Sequence, residues 1–134
     1  MAHKIFVNLP VKDLPRTMAF FKALDFSFNP QFTSDAGACM VITPDIYAML
    51  LTHAHFAKFT KKAIADAHAT TEVLVALSCD SKAEVDAMVG QAIAAGGREP
   101  RAVQDMGFMY ARSFEDPDGH IWEPFWMDPA HVQS

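Results

Sequence analysis

The order of sequence patterns in the first half of the chain is repeated in the second half. Each half begins with an apolar segment typical of a strand, continues with a helical pattern and ends with three more strand-like segments. The two units are expected at about residues 1–54 and 71–128, with a connector at about 55–70. In each unit the single helix covers only one face of the four-stranded sheet, so the other face needs a partner. The sequence therefore predicts a single α+β domain in which two βαβββ units form curved mixed sheets around a small-molecule cavity.

The first unit contains one clear helix signal between strand candidates. The first strand is expected at residues 4–9, and Pro10 is expected to interrupt its hydrogen-bond ladder. Asp13 can cap the helix that follows, because a carboxylate accepts from the first free N–H groups. The buried stripe of this helix is predicted to comprise Met18, Phe20, Phe21 and Leu24. Further strands are expected at residues 26–28, 38–42 and 46–52.

The second unit repeats this arrangement with a stronger helix signal. A strand is expected at residues 72–79, followed by a helix at 82–95 with Ser81 or Asp80 as its cap and Glu84 as the capping-box partner of Ser81. The buried stripe is predicted to comprise Val85, Met88, Val89 and Ile93. Three more strands are expected at residues 99–103, 108–114 and 120–126, the last two joined by the turn at 115–119.

Composition excludes several classes of partner. Hydrophobic residues make up 51% of the 134-residue chain and its net charge is −5, which favours a globular protein that does not bind nucleic acid or anionic membranes. The sequence has no apolar run of about 20 residues and no signal-peptide pattern, so we expect a cytoplasmic protein. Cys39 and Cys79 belong to no metal-binding spacing and are interpreted as reduced, buried thiols.

Several segments are similar to those of one protein family. They are FVNLPVKDL at residues 6–14, MAFFKALDF at 18–26 and above all EDPDGHIWE at 115–123. Together they resemble the glyoxalase/bleomycin-resistance/extradiol-dioxygenase superfamily, also called the vicinal oxygen chelate superfamily. With MLLT at 49–52 and WMDP at 126–129, the chain looks more narrowly like bacterial lactoylglutathione-lyase-like proteins. The resemblance implies a small-molecule ligand and a homodimer.

The resemblance also implies four positions that hold a divalent metal in metal-dependent members. In this sequence those positions fall on Phe6, Leu50, Leu74 and Glu123. Zinc is typically held by three or four nitrogen, oxygen or sulfur ligands, and hydrocarbon side chains offer none. One match in four predicts that the family metal site is incomplete and that no metal cofactor is bound there.

Glu123 is the polar residue on which the functional prediction depends. It shares a strand face with Ile121 and Phe125, so a carboxylate there lies among apolar neighbours, where desolvation favours its neutral form. Such a group suits a catalytic general base or a hydrogen-bond donor. The alternative is that Glu123 pairs with Arg112, or bonds to Asn8 or Tyr110, and does no chemistry. The predicted ligand pocket comprises Phe6, Asn8, Leu50, Leu74, Tyr110, Arg112 and Phe125.

Three functions remain open from the sequence. The first is a glyoxalase-like lyase or isomerase in which Glu123 is catalytic and transfers a proton. The second is a non-enzymatic protein of the bleomycin-resistance type that binds or sequesters a small organic molecule. The third is a partner module that only forms dimers. The sequence contains no phosphate-binding glycine motif and no GxSxG motif, so it supports neither a nucleotide cofactor nor serine hydrolysis.

Overall fold

The computed structural model describes residues 2–131. It contains two compact units, Met1–Asp66 and Ala67–Ser134, and the division falls inside the connector expected at residues 55–70. In the described part of the chain, no helix has both the length and the apolar character needed to cross a membrane. The two sheets are mixed and carry helices, so the predicted α+β class is confirmed.

The first unit is a four-stranded mixed sheet with one long helix. Its elements are β1 (Ile5–Val11), α1 (Leu14–Ala23), β2 (Ser27–Asn29), β3 (Gly37–Thr43) and β4 (Ile46–Thr52), followed by the short helix α2 (His53–Phe56). The strand order is β1-β4-β3-β2. β1 and β4 are parallel and the other pairs are antiparallel, which gives the predicted βαβββ unit.

Pro10 does not end the first strand, contrary to the prediction. β1 continues through Pro10 to Val11 and stays in register with β4. β1 lies at one end of its sheet and has only one neighbour, so a residue without an N–H can be accommodated on the side away from that neighbour. The helix cap was predicted correctly, since the Asp13 carboxylate accepts from the Arg16 N–H at 3.1 Å.

The core of the first unit lies between α1 and one face of its sheet. Phe21 and Thr17 of the helix are fully buried, whereas Met18 is only half-buried. On the sheet, Leu50 is the register partner of both Leu9 and Ala38, and all three are buried. Because side chains alternate along a strand, the neighbouring Met49 points to the opposite face.

The second unit repeats the arrangement with one additional short strand. Its elements are β5 (Leu74–Ser78), α3 (Lys82–Ala94), β6 (Gln104–Asp105), β7 (Met109–Ala111), β8 (Phe114–Glu115) and β9 (Ile121–Met127). The strand order is β5-β9-β7-β6, and β8 also pairs with β9. β9 therefore has neighbours on both sides, with β5 parallel to it and β7 antiparallel.

Two local predictions for this unit were wrong. The strand expected at residues 99–103 is absent there, and only Gln104–Asp105 forms a ladder, because Pro100 has no N–H to donate and the chain bends at Arg101. Ile93 is 47% exposed instead of buried, and Ala92 completes the buried stripe of α3. The predicted cap is present, since Ser81 accepts from the Glu84 N–H at 3.1 Å.

The turn before β9 is held by a buried carboxylate. Asp116 accepts hydrogen bonds from the N–H groups of Asp118 and His120 and from the indole N–H of Trp122, at 2.9, 3.1 and 3.0 Å. Burial raises the pKa of Asp116, and the nearby His120 opposes that shift. Gly119 adopts a positive φ of 86°, which a residue without a side chain adopts at little cost. The direction in which β9 begins is thereby fixed.

Candidate functional site

One face of the second sheet points away from α3. On the other face, Trp122 and Pro124 of β9 are fully buried, and Tyr110 of β7 contacts α3. Strand alternation places Glu123 between them on the opposite side. We call this the helix-free face, and its residues, matched by strand register, are Leu74, Ala76, Ser78, Gln104, Met109, Ala111, Glu115, Ile121, Glu123, Phe125 and Met127.

Glu123 is ion-paired on the helix-free face. The Arg101 guanidinium donates through Nη2 to Glu123 Oε2. The Glu123 side chain is 17% exposed and the Arg101 side chain 35% exposed, so water screens the pair only in part. Within residues 2–131, the buried Nη1 of Arg101 has no hydrogen-bond partner. Glu123 is therefore charge-balanced, which differs from the expected isolated carboxylate among apolar neighbours.

Arg112 and Tyr110 lie on the helix side of the sheet, away from Glu123. Arg112 forms a two-pronged pair with Glu99, with both N–O distances at 2.9 Å, and a third bond to Asp86 of α3, also at 2.9 Å. The Tyr110 hydroxyl donates to the same Asp86 carboxylate at 2.6 Å. Arg112 is thus engaged on the helix side, and the cation that pairs with Glu123 is Arg101.

This helix-side network shifts several ionisations. The hydrogen bond from Tyr110, followed by that from Arg112, lowers the pKa of Asp86, and the same Tyr110–Asp86 bond raises the pKa of the phenol. Arg112 lowers the pKa of Glu99, mainly through its hydrogen bonds, and Glu99 in turn raises the pKa of Arg112. The shifts of Asp86, Glu99 and Arg112 favour their charged forms, and the shift of Tyr110 keeps its phenol protonated as a donor. The bonds to Asp86 hold β7 against α3, which gives the network a structural role.

The first unit contains the other three predicted pocket residues. Phe6 is 50% exposed and stacks on Tyr47 with ring centroids 4.7 Å apart. Asn8 is exposed, and its side-chain amide donates to the Phe6 carbonyl at 3.3 Å. Leu50, in contrast, is 0% exposed and belongs to the helix-side core. The register partner of Asn8 on β4 is Met49, so Leu50 points to the opposite side of the sheet from Phe6 and Asn8.

Among the predicted pocket residues, Leu74 and Phe125 are those that the second unit places on the same face as Glu123. Leu74 is half exposed and Phe125 is partly buried. With Met109 and Met127 they supply the apolar part of this face, and the Arg101–Glu123 and Arg98–Glu115 ion pairs supply its charges. Apolar side chains with a few polar groups are the composition usual for a small-molecule contact surface.

The sequence profile of the Glyoxalase/Bleomycin resistance protein/Dioxygenase superfamily matches residues 5–123. The chain belongs to this superfamily. A search of curated proteins found no match.

Solved structures with the same fold include several members of the superfamily. A hypothetical protein from S. aureus is 27% identical, with a TM-score of 0.79 over 94% of this chain and 95% of that one. A glyoxalase/bleomycin resistance protein/dioxygenase family enzyme from Burkholderia phytofirmans PsJN is 20% identical, with a TM-score of 0.77 over 94% and 99%. The fosfomycin resistance protein FosX from Mesorhizobium loti is 16% identical, with a TM-score of 0.66 over 97% and 93%.

The residues of this superfamily member do not fit a family-type metal site. Phe6 and Leu74 have no donor atom, and Leu50 faces the helix-side core. Met49, the neighbour of Leu50 on the other side of the sheet, offers only a weakly coordinating thioether. Across residues 2–131, no group of three or more His, Cys, Asp or Glu side chains is arranged to hold a metal ion. Glu123 is the one carboxylate at these positions, and it contacts a guanidinium.

Arg101 was missed by the sequence-based analysis. It lies in the irregular segment between α3 and β6, where no hydrophobic alternation indicates which way a side chain points. The available signal was indirect: a largely buried carboxylate on a strand requires a cationic or hydrogen-bonding partner, and several arginines were possible.

Proposed function

We propose that the chain is a binding protein for a small organic molecule and that the helix-free face of the second unit supplies its contact surface. The observation that carries this proposal is the Arg101–Glu123 pair on a face whose apolar side chains include Leu74 and Phe125. Apolar side chains supply most of the contact area in such sites, and a few polar groups determine orientation. An ion pair among apolar side chains can therefore bind a small molecule without a metal.

Methionine methyl groups on the helix-free face provide a direct test. Met109 and Met127 are register partners there, whereas Met40 is fully buried in the first unit and serves as an internal control. We would titrate chelator-treated protein, labelled with 13C at the methionine methyls, with metal-free bleomycin, fosfomycin and S-lactoylglutathione. Shifts of the first two resonances by one probe, with Met40 unchanged, are expected. Saturating probe concentrations that leave both resonances unmoved would contradict the proposal.

A second variant links these shifts to the face itself. Phe125→Ala removes a ring that lies between the register partners Ser78 and Ala111. We expect it to lower the affinity for the probe that binds by about tenfold, because an aromatic side chain in contact with a ligand contributes more than about 1 kcal/mol to the binding free energy. Far-UV circular dichroism checks that the fold is retained.

A lyase-like enzyme is the second candidate, and the position of Glu123 favours it. The carboxylate occupies the family ligand position of the last strand and remains 17% exposed, so a substrate can reach it. Carboxylates act as general bases in reactions that move a proton between adjacent carbons. We would measure the conversion of the methylglyoxal–glutathione hemithioacetal to S-lactoylglutathione, with Glu123→Gln as the comparison. Turnover that depends on Glu123 supports the enzyme; binding without product supports the first candidate.

We also propose that the protein is a cytoplasmic homodimer. Supporting this, β1 and β5 each lie at one end of a sheet, and both carry exposed apolar side chains at Ile5, Phe6 and Leu74. Strands at a sheet edge with exposed apolar residues are common pairing surfaces between chains. Analytical ultracentrifugation over a range of concentrations measures the mass, and a monomer at all concentrations would contradict the dimer.

A further inference from the structure

We infer that Arg101 is the specificity-determining residue of the helix-free face and that it donates a hydrogen bond to an uncharged carbonyl oxygen of the ligand. The inference rests on the proposed function, since it names the chemical class that this face recognises. Its starting point is the contact between Arg101 and Glu123. Arg101 occupies none of the four family ligand positions.

The carboxylate holds the guanidinium in a fixed place. Glu123 belongs to β9, which is paired with neighbours on both sides, and its register partner is Ala76. A carboxylate on a central strand has little freedom to move, and an ion pair with it restricts the last torsions of the arginine side chain. Arg101 is therefore preorganised before any ligand arrives, although it comes from an irregular segment.

The guanidinium keeps hydrogen-bonding capacity after Glu123 has been satisfied. It has five N–H donors, and Nη2 is the atom that contacts Glu123. In the described part of the chain, the buried Nη1 has no acceptor. A buried donor without an acceptor is unfavourable, so an oxygen brought by a ligand gains more here than at a solvated arginine. The 35% of the side chain that is open to solvent lies outside Nη1, so a ligand oxygen reaches this donor only by displacing the groups that cover it.

Charge balance selects an uncharged oxygen over an anion. Glu123 already neutralises Arg101, and Glu115, another carboxylate of the helix-free face, is itself paired with Arg98 at 2.9 Å. An anionic head group at Arg101 would lie close to the Glu123 carboxylate and be repelled by it, in surroundings that water screens only in part. A ketone, ester or amide oxygen accepts the same hydrogen bond without that repulsion. The apolar neighbours Leu74 and Phe125 suit an aromatic or similarly flat body.

Two small probes with the same ring separate these possibilities. Acetophenone offers an uncharged carbonyl and benzoate offers a carboxylate. Titrated into the methionine-labelled protein, acetophenone is expected to shift the Met109 and Met127 methyl resonances with an affinity at least about fivefold above that of benzoate. Because the bond is to an uncharged atom, its affinity should be the same at low and high salt.

Substitution of Arg101 tests the residue itself. Arg101→Met keeps the length of the side chain but removes its donors, and we expect acetophenone to bind about tenfold more weakly, the usual effect of one lost hydrogen bond. The same substitution on the helix side, Arg112→Met, is the matched control and should leave the affinity unchanged. Arg101→Lys, which keeps the charge but loses the planar fork, provides a second variant if the first does not fold, and it should also bind the ketone more weakly.

The outcomes separate this inference from the proposed function. If benzoate binds more tightly than acetophenone, or if both Arg101 variants bind acetophenone as the unmodified protein does, the role of Arg101 is refuted while the face remains a binding surface. If neither probe moves the two methyl resonances, the face itself fails as a site and the inference falls with it. A loss confined to the Arg101 variants supports both.

Discussion

Leu50→Ala should be one of the most damaging substitutions in the first unit, whereas Met49→Ala should be mild. Leu50 is 0% exposed and is the register partner of the buried Leu9 and Ala38. Truncation removes apolar contacts and leaves a cavity that the close-packed sheet cannot fill, which typically costs about 2–5 kcal/mol. Met49 lies on the opposite face and is only half-buried, so we expect its truncation to cost about 1 kcal/mol.

The assay is urea denaturation followed by far-UV circular dichroism, with the free energy of unfolding obtained by linear extrapolation. A domain of this size is expected to have about 5–15 kcal/mol of stability, so a loss of about 3 kcal/mol shifts the midpoint clearly. The slope of the transition should remain unchanged in both variants. Equal costs for the two substitutions, or a greater cost at Met49, would show that the assignment of β4 side chains to the two faces is wrong.

Three further predictions concern other parts of the molecule. Burial raises the pKa of Cys79 to about 11, so its thiol should react with a disulfide reagent at pH 8 at least about tenfold more slowly in the folded than in the urea-unfolded protein. Arg112→Met should lower the free energy of unfolding by about 1–3 kcal/mol at pH 7. Because Arg112 lowers the pKa of Glu99, this loss should shrink as the pH falls below 4.5, the ordinary pKa of that carboxyl. A loss that stays constant with pH would contradict the assignment. Gly119→Ala should lower the free energy of unfolding, measured by urea denaturation, by about 2 kcal/mol or more, because φ is 86° and a Cβ would lie 2.8 Å from a backbone nitrogen. Gly90→Ala is the control: a Cβ there meets open space, so the substitution should stabilise α3 by about 0.5–1 kcal/mol.

Local sequence signals predicted the fold because its helices and strands are determined mainly by residues that lie close together in the sequence. Asp13 and Ser81 cap their helices as expected, and the strand at Ile46–Thr52 has the predicted bounds. Pro10 was misjudged because its effect depends on whether the strand lies at a sheet edge, and that is decided by pairing with a distant segment.

The candidate site was harder to predict because it depends on register and on a loop. A shift of one residue along β4 moves a side chain from one face to the other, so counting along the sequence placed Leu50 where the structure has Met49. The partner of Glu123 comes from 22 residues earlier, in a segment without periodic structure. Only the fold brings that arginine to β9 and sends Arg112 to α3.

The buried Asp116 influences a residue that it does not touch. Its bond to the Trp122 indole anchors the side chain immediately before Glu123 in the sequence. Substitutions in that turn would tilt the strand at its origin and move the carboxylate together with its guanidinium. If the helix-free face binds a ligand as proposed, substitutions in this turn are therefore expected to change its affinity without touching it.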